Sequence, residues 1–534
     1  MLKNKKVWDY IVIGGGSAGC VLANRLSNDS NVNVLLLEAG PMDNNPYIHM
    51  PIGFAKMTTG PYTWGFNSSP LKNCNDRVIP LVQGFVIGGG SSINAMVATR
   101  GNPLDYDRWA IEEGCEGWSF KEIQKYLIRS ENNDRLSGPM HGTNGPQGIS
   151  DLVNPMELSK IFVKSAQEYG LKYNGDFNGD SQEGTGIYQT YTHNAKRCSA
   201  ADAYLKPVLN RNNLSLRTNC LTQKVIIENK KAVGVEINHK GINEKVMASR
   251  EIILSAGAIN SPKLLLLSGI GPSDHLKHHN IDIVNDLPGV GENLQDHFDI
   301  DIVYELNGPY SLDKYNKWHW MIWAGLQYLL FKTGPVTSNA VEGGAFSFSN
   351  PNDVSPDLQF HFLPAAGVEA GVPPIISGNG CTLNSYFLRP RSRGTVKLQS
   401  NMPTAPPIID PNYIDDEYDL ERSIDGVIQS RDIMSQASFK PYIKREHFPG
   451  SDVKTKKDVE EYVRQYGRTS YHHVGTCKMG SDDMSVVDTN LQVYGIEGLR
   501  VIDSSIMPSL ISSNTYAPTL MIAEKGADII INNK

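Results

Sequence analysis

The chain begins with an apolar run that leads directly into a glycine-rich turn, Asp9-Tyr-Ile-Val-Ile-Gly14-Gly-Gly16-Ser-Ala-Gly19-Cys20. This pattern predicts a buried strand followed by a helix from Ala18 to Leu26. A second apolar run, from Val32 to Leu37, ends at the acid Glu38. A strand–helix–strand unit is therefore expected at the N-terminus, with an acid at the end of its second strand.

Further apolar runs predict two more groups of strands. A strand pair is predicted around a turn at Glu228–Lys231, with Leu214–Leu216 before the turn and Val233–Ile237 after it. The run Glu251–Gly257 has the pattern of a buried strand that ends in a turn, and a helix from Ser261 to Leu267 follows it. Near the end of the chain, Leu499–Asp503 again has the pattern of a strand, and a helix follows to the C-terminus.

The residues between these groups have a different character. From 300 to about 465 the sequence is rich in aromatic residues and contains alternating runs such as Asp357–Leu363, which predict a separate, sheet-bearing domain. The first and last segments both have features of a nucleotide-binding domain. The second domain is therefore expected to be inserted between them.

Two segments allow alternative interpretations. Trp318–Phe331 contains three tryptophans at near-helical spacing, which favours a buried helix of the second domain over a patch that lies on a membrane surface. Pro364–Cys381 is rich in glycine and proline with few charges. A surface loop is the favoured interpretation of this segment, and a lid over a substrate cavity is the alternative.

Composition narrows the classes of protein to consider. At 534 residues the chain exceeds one hydrophobic core, and its net charge of −7 gives no reason to expect a nucleic acid partner. The seven cysteines form no C-x-x-C pair, so neither a metal site nor a disulfide framework is expected. The strand that follows Met1–Lys6 leaves no room for a signal peptide, and no apolar run is long enough to span a membrane. A cytoplasmic location is predicted, with peripheral membrane association left open.

The N-terminal glycines have the spacing that grips a dinucleotide. Gly14 permits the tight turn, Gly16 lets the backbone approach a pyrophosphate, and Gly19 lets the helix pack closely on the strand. The partly positive helix N-terminus points at the phosphates, and Glu38 accepts hydrogen bonds from ribose hydroxyls. The predicted contacts in this unit are Gly14, Gly16, Ser17, Ala18, Gly19 and Glu38.

Later segments carry more chemistry. Ile87–Asn94 combines three glycines with two hydroxyls and an amide, and Gly257–Gly271 joins a strand to a helix and a glycine stop. Polar side chains also stand in the segments Gly289–His297, Arg389–Val396, Tyr471–Gly480 and Ser513–Thr519. In this order, and over essentially the whole chain, these segments resemble the glucose-methanol-choline (GMC) family of FAD-dependent oxidoreductases. The choline-dehydrogenase-like and hydroxymethylfurfural-oxidase-like branch is the most similar.

This resemblance implies an α/β fold combined with α+β. A Rossmann-like FAD-binding domain would carry an inserted substrate-binding domain, built on an antiparallel sheet with helices. The expected FAD-binding parts are residues 1–157, 196–299 and 466–534, and the expected substrate-binding parts are 158–195 and 300–465. The implied activity is oxidation of a small primary alcohol to an aldehyde, by hydride transfer to flavin N5. Oxygen or a quinone-type carrier would accept the electrons.

The resemblance also implies roles for individual residues. His472 matches the catalytic base, with His473 as the alternative, and Asn514 matches the second catalytic position. Ile93 stands where some members have a histidine that binds flavin covalently, so the FAD is expected to be non-covalent. The basic residues usual before the glycine cluster are replaced by Gln83-Gly84-Phe85. The remaining predicted cofactor contacts are Gly89, Ser92, Asn94, Thr222 and Asp503.

Several interpretations stay open at this point. Asp296 and His297 are expected to be structural rather than catalytic, and Ser470 is a candidate for a position near the flavin edge. Choline is one candidate substrate, and it would require an anionic or aromatic site for its ammonium group. A hydroxynitrile-lyase-like enzyme on the same fold is the alternative function. The first motif alone would also fit an NAD-linked dehydrogenase.

Overall fold

The computed structural model describes residues 7–368, 372 and 374–532. In these ranges the α-helices are α1 (Ser17–Leu26), α2 (Pro46–His49), α3 (Pro103–Ile111), α4 (Phe120–Ser130), α5 (Glu157–Tyr169), α6 (Gly257–Leu267), α7 (Ser273–His278), α8 (Trp318–Phe331), α9 (Glu417–Met434), α10 (Lys456–Tyr466) and α11 (Tyr516–Asn532). The strands are β1 (Trp8–Ile13), β2 (Val34–Leu37), β3 (Phe66–Asn67), β4 (Pro80–Leu81), β5 (Glu131–Asn133), β6 (Gln147–Ile149), β7 (Gly184–Ile187), β8 (Thr192–His193), β9 (Lys196–Arg197), β10 (Leu214–Arg217), β11 (Cys220–Glu228), β12 (Lys231–His239), β13 (Ile242–Leu254), β14 (Ile270–Gly271), β15 (Asn285–Asp286), β16 (Phe298–Leu306), β17 (Gly343–Ser347), β18 (Leu358–Leu363), β19 (Gly380–Phe387), β20 (Thr395–Lys397), β21 (Ile408–Asp410), β22 (Ile443–Phe448), β23 (Arg468–Thr469) and β24 (Leu499–Val501).

The first large sheet has the strand order β10-β2-β1-β13-β12-β11, with β24 beside β13. Strands β10, β2, β1, β24 and the second half of β13 are parallel, whereas β11, β12 and the first half of β13 form an antiparallel extension. The register pairs Ile13 with both Leu37 and Leu254. These positions are apolar because a parallel sheet is covered on both faces. Helix α1 crosses from β1 to β2 and packs against α11.

The second large sheet is antiparallel, in the order β22-β16-β19-β18-β17-β7, with β23 beside β16. Helices α5 and α9 pack on it, and α10 lies against α9. Phenylalanines and leucines from β16, β18 and β19 form the core between sheet and helices. The predicted fold class, a Rossmann-like α/β part with an α+β part on an antiparallel sheet, is confirmed. The division into five domain segments proposed above stays a prediction.

Helix α8 has the predicted bounds, but the prediction that it is buried is wrong. Trp318 is 73% exposed, Trp323 57% and Phe331 70%, and only Ala324 and Tyr328 are buried. The antiparallel sheet already has α5 and α9 on its face, and α8 packs mainly on the short 3₁₀ segments Leu312–Asn316 and Pro335–Thr337. The hydrophobic composition of α8 alone did not show that other helices cover this face of the sheet.

Three other expectations concern the chain as a whole. Met1–Lys6 lie outside the described residues, as does part of Pro364–Cys381. Among the helices that the structure describes, none combines the length and the apolar character needed to cross a bilayer. All seven cysteines fall within the described ranges, where they are buried and unbridged.

Candidate active site

The glycine turn between β1 and α1 is built as the motif predicts. Gly14 has a φ of +98°, and a Cβ on it would lie 2.4 Å from the carbonyl oxygen of Ser255. A Cβ on Gly19 would lie 1.9 Å from the carbonyl oxygen of Gly14, so α1 can approach the strand this closely only at glycine. Gly16 is different, because its nearest neighbour would be the Cα of Gly89 at 3.9 Å. It leaves bare backbone facing a cavity, with the N-terminus of α1 directly behind.

The second glycine segment lies against the first. Gly89 has a φ of +54°, and a Cβ there would lie 2.8 Å from the Cα of Gly16. Ser91 lines the cavity, whereas Ser92 is fully buried and its hydroxyl donates to the carbonyl of Ile87 at 2.7 Å. The structure therefore uses Ser92 to hold the turn and does not bring its side chain to the cavity wall.

Glu38 and Asp503 lie at the ends of β2 and β24 and are both buried. Glu38 accepts hydrogen bonds from the backbone N–H groups of Gly15 and Gly40, each at 2.7 Å, and burial raises its pKa to about 7. Asp503 accepts from the N–H of Gly257 at 2.8 Å and from the hydroxyl of Ser261 at 2.6 Å. Burial raises the pKa of Asp503. Each carboxylate oxygen has two lone pairs, so both acids keep capacity for a further donor.

One cavity is lined both by these features and by the predicted catalytic residues. Gly14, Glu38, Thr222 and Asp503 lie on its wall, and so do His472 and Asn514. The wall also includes Ser17, Ala18, Gly89, Ile93, Asn94 and Ser470, whereas the described residues between 364 and 381 do not reach it.

The wall fits a flavin dinucleotide. Among the described residues, the buried hydroxyls of Thr222 and Ser255 find no hydrogen-bond partner, and both residues line the cavity. A buried hydroxyl without a partner costs stability, so a bound polar ligand is the natural acceptor or donor for each. The bare glycine backbone and the helix N-terminus add a surface that suits phosphates.

The side chains of His472 and Asn514 contact each other on the wall of the cavity. Nδ2 of Asn514 donates to Nε2 of His472 at 3.1 Å. Oδ1 of Asn514 accepts from the hydroxyl of Thr99 at 2.8 Å and from the amide of Gln359 at 3.2 Å. These two donors fix the orientation of the Asn514 amide. Its NH₂ group therefore faces His472 and the cavity, with one N–H left to donate elsewhere.

His297 sets the tautomer of His472. Nε2 of His297 lies 3.0 Å from the carbonyl oxygen of Leu388, so this nitrogen carries a hydrogen. Burial lowers the pKa of His297 to about 4, so the ring is neutral at pH 7 and its Nδ1 has a lone pair. Nδ1 of His472, at 2.9 Å, must then donate to it. The lone pair of His472 consequently lies on Nε2, the nitrogen beside Asn514.

Hydrogen bonds also fix the backbone around His472. Tyr471 has a φ of +66°, which is unusual for a residue with a side chain and turns the chain toward the cavity. The N–H of His472 donates to Asp296 at 2.7 Å, and the same carboxylate accepts from the hydroxyls of Tyr413 and Thr469. Asp296 thus positions the catalytic segment, in agreement with its expected structural role.

His473 has both ring nitrogens directed at protein groups. Its Nδ1 lies 3.2 Å from the amide nitrogen of Gln83, and its Nε2 lies 3.4 Å from a carboxylate oxygen of Asp296. Gln83, which departs from the family pattern, therefore contacts this histidine. His473 thus differs from His472, whose Nε2 lone pair lies beside Asn514 on the cavity wall.

Three histidines at the site, His472, His297 and His361, stay uncharged at neutral pH. The pKa of His472 is lowered well below its usual value, mainly by burial and then by the neighbouring imidazoles of His297 and His361. Burial likewise lowers the pKa of His361 to about 3. These three rings therefore act as neutral hydrogen-bonding groups.

Asn94 and Ile93 line the middle of the cavity. The side-chain oxygen of Asn94 accepts from Arg197 at 2.8 Å and from the N–H of Met96 at 3.1 Å, so its side chain is tied to the protein. The contact between its backbone and the flavin stays a prediction. Ile93 is buried and offers no atom that could bond covalently to a flavin.

Asp43, His49 and Asp202 form the one cluster with metal-ligand spacing in the part of the chain that the structure describes. The ammonium group of Lys206 lies 2.7 Å from a carboxylate oxygen of each aspartate. A protein cation already neutralises these acids, so the cluster gives no support for a bound metal.

Comparison with known proteins agrees with the site. The family model described as GMC oxidoreductase matches residues 8–299 in its N-terminal part and 390–523 in its C-terminal part. An alcohol dehydrogenase [acceptor] of Pseudomonas putida is 43% identical over 530 residues, which cover 98% of this chain and 96% of that protein. An oxygen-dependent choline dehydrogenase of Sinorhizobium fredii is 42% identical over 531 residues, with 98% and 96% covered.

Solved structures share the whole fold. Pyridoxine 4-oxidase from Mesorbium loti superposes with a TM-score of 0.89 at 28% identity, and 98% of each chain is covered. Formate oxidase of Aspergillus oryzae, in a study of FAD modification, superposes with a TM-score of 0.93 at 25% identity, and 99% of each chain is covered.

Proposed function

The chain belongs to the GMC oxidoreductase family and oxidises alcohols with FAD, and we propose that its substrate is a small, uncharged primary alcohol that leaves as the aldehyde. The observation that carries this proposal is the tautomer of His472. Its Nε2 lone pair faces the cavity, 3.1 Å from the amide of Asn514. A neutral imidazole in this orientation can take a hydroxyl proton.

We propose that His472 and Asn514 divide the work on the alcohol group. Nε2 of His472 accepts the hydroxyl proton, and the free N–H of Asn514 donates to the alcohol oxygen as negative charge develops there. When bound, the flavin accepts the hydride that leaves the alcohol carbon, which completes the two-electron oxidation. Thr99, Gln359 and His297 hold the orientation of the two side chains, and the alcohol hydroxyl replaces the Asn514 N–H as the partner of Nε2 of His472.

The cofactor is held without a covalent bond in this proposal. Ile93 has no nucleophilic atom. The glycine turn, Glu38 and Thr222 line the cavity and are assigned to the adenosine half in this proposal. Asn94 and Asp503, also on the cavity wall, are assigned to the flavin half. Non-covalent binding predicts that acid or heat denaturation releases free FAD into the supernatant.

The charges on the cavity wall favour a neutral substrate over choline. Asp299 is an acid on this wall, and it pairs with Arg468 at 2.9 Å. The other described acids on the wall, Glu38 and Asp503, lie where the cofactor would bind. A quaternary ammonium would therefore have to compete with Arg468 for its counter-charge. The acceptor is proposed to be oxygen or a quinone-type carrier, and assays with each alcohol in air and with a quinone under argon would distinguish the two.

Anaerobic flavin reduction tests the roles of the pair. The FAD-loaded enzyme is mixed with 1-butanol, benzyl alcohol or a furanic alcohol, and the loss of flavin absorbance is followed with time. We expect His472→Ala and Asn514→Ala each to slow reduction by about 10²-fold or more. His473→Asn is the matched control and should stay near the wild-type rate. Reduction at the wild-type rate in the His472 variant would contradict the assignment, and cyanide release from a hydroxynitrile without bleaching would establish a lyase instead.

A further inference from the structure

Helix α8 presents a large apolar face that no other described element covers. Nine of its side chains are large, apolar and exposed by 41–73%: Trp318, Trp320, Met321, Ile322, Trp323, Leu326, Leu329, Leu330 and Phe331. Val153 is 44% exposed, and the following residue, Asn154, accepts a hydrogen bond from the N–H of Gly334 just after α8. Contiguous apolar surface of this kind marks an interaction site rather than ordinary solvent-facing surface.

The charges around α8 have one sign. Lys314, Lys317 and Lys332 flank the helix, and the sequence from 314 to 341 contains no acid. The acids on either side of this stretch, Asp313 and Glu342, are buried and accept hydrogen bonds from the protein interior. The residues that flank α8 along the chain are therefore basic, in contrast with the net charge of −7 on the whole chain.

We propose that α8 binds the surface of an anionic lipid bilayer. Tryptophan, leucine and phenylalanine side chains with flanking lysines suit the boundary between acyl chains and acidic headgroups. The helix has 14 residues, or about 21 Å at 1.5 Å per residue, so it is too short to cross a hydrocarbon core of about 30 Å. It lies in the interface and does not span the bilayer.

The charge pattern favours a bilayer over a second copy of this chain. In a two-fold dimer the same patch would meet itself, which would bring Lys314, Lys317 and Lys332 against the same lysines of the other copy. Anionic headgroups instead neutralise all three. A fourth lysine, Lys196, also lies near α8. The hydroxyl of Tyr328 donates to the carbonyl of Ala195, and the exposed Lys196 is the next residue.

The helix also lies close to the wall of the active-site cavity. It packs on Pro335–Thr337, which contacts the 3₁₀ segment Pro51–Lys56, and Phe54 of that segment lines the cavity. Docking through α8 would therefore hold this side of the cavity near the lipid. An alcohol or a quinone that partitions into a membrane would be concentrated there.

Vesicle flotation of the FAD-loaded full-length protein tests the proposal. We expect the wild type to float with phosphatidylcholine vesicles that contain 30% phosphatidylglycerol, and to bind pure phosphatidylcholine about tenfold less. The double variant L330Q/F331Q should lose about tenfold or more in binding to both kinds of vesicle. The triple variant K314Q/K317Q/K332Q should bind both kinds equally weakly. The matched control I111Q/V354Q changes two exposed apolar side chains elsewhere and should bind like the wild type.

Other outcomes would overturn the proposal. Wild-type protein that stays below the vesicles, or equal losses in the I111Q/V354Q control, would show that α8 does not bind lipid. Light scattering in the absence of lipid supplies the other decisive measurement. A wild-type dimer that L330Q/F331Q converts to a monomer would assign the face to a second copy of the chain. Unchanged flavin content and melting temperature in each variant confirm that it folds.

Discussion

Replacing His297 with leucine tests whether this residue sets the tautomer of His472. Leucine has a similar size but neither accepts from Nδ1 of His472, at 2.9 Å, nor donates to the carbonyl of Leu388, at 3.0 Å. The buried Nδ1–H of His472 would then lack a partner, which costs about 1–3 kcal/mol. The ring escapes this cost by moving its hydrogen to Nε2, the atom that has to accept the substrate proton.

The expected effect on rate follows from that cost. At 1.36 kcal/mol per factor of ten, a loss of about 1–3 kcal/mol corresponds to about 5–150-fold slower reduction of the flavin at saturating alcohol. His297→Gln is the rescue variant, because its amide can donate to Leu388 and accept from His472 at the same time. It should recover most of the lost rate. KM should change less than kcat, since His297 acts through His472 and does not touch the substrate.

Stopped-flow reduction under argon measures these rates, and the ratio of flavin to protein absorbance confirms equal loading of the variants. A leucine variant that is fully loaded and is reduced within about twofold of the wild-type rate would refute the tautomer argument. Equal losses in the leucine and glutamine variants would refute it as well. They would mean that packing, rather than the direction of the hydrogen bond, matters at this position.

Three further predictions follow from the geometry. Gly19→Ala should lower the melting temperature, because its Cβ would lie 1.9 Å from a carbonyl oxygen. Gly16→Ala has 3.9 Å of clearance and should mainly weaken FAD binding. Thermal melts and flavin titration separate the two effects, and equal losses in Tm would contradict this prediction. Acidification from pH 7 to 5 should destabilise the fold by about 2 kcal/mol through His297, because its pKa of about 4 lies below the ordinary 6.5 and the unfolded state binds the proton first. Urea unfolding at both pH values checks this, and His297→Gln should show a smaller decrease. Choline should have a kcat/KM about 30-fold below that of 1-butanol, the equivalent of about 2 kcal/mol, because Arg468 already holds the carboxylate of Asp299; a preference for choline would overturn the neutral-substrate proposal.

Local features of the fold could be predicted closely from the sequence. The helix predicted from Ala18 to Leu26 begins one residue earlier, at Ser17, and the turn predicted at Glu228–Lys231 joins β11 to β12. Both predictions rest on neighbouring residues, since apolar periodicity and glycine placement act over a few positions. Leu214–Leu216 was recognised as apolar, but its pairing with β2 rather than with the following hairpin depends on the whole sheet.

The parts of the site that depend on distant contacts could not be predicted in this way. His297 and His472 are 175 positions apart, and Gln359 and Asn514 are 155 apart, so no local pattern links them. Thr99 lies only five positions beyond Ile87–Asn94, and extending that motif would have been the one signal for it. The exposure of α8 was not predicted for a related reason. Apolar residues predict that a helix is removed from water, but they do not show whether the protein itself or another surface covers it.

The order of the strands has a consequence for synthesis. The central strand β1 pairs with β13 about 240 positions further along the chain, and β24 pairs with β13 later still. Asp503 and Asn514, which line the cavity, both follow β24. During synthesis, the flavin pocket therefore cannot be complete before the segment that follows β24 has been made. A chain truncated ahead of β24 would lack one strand of this sheet and Asn514, half of the proposed catalytic pair.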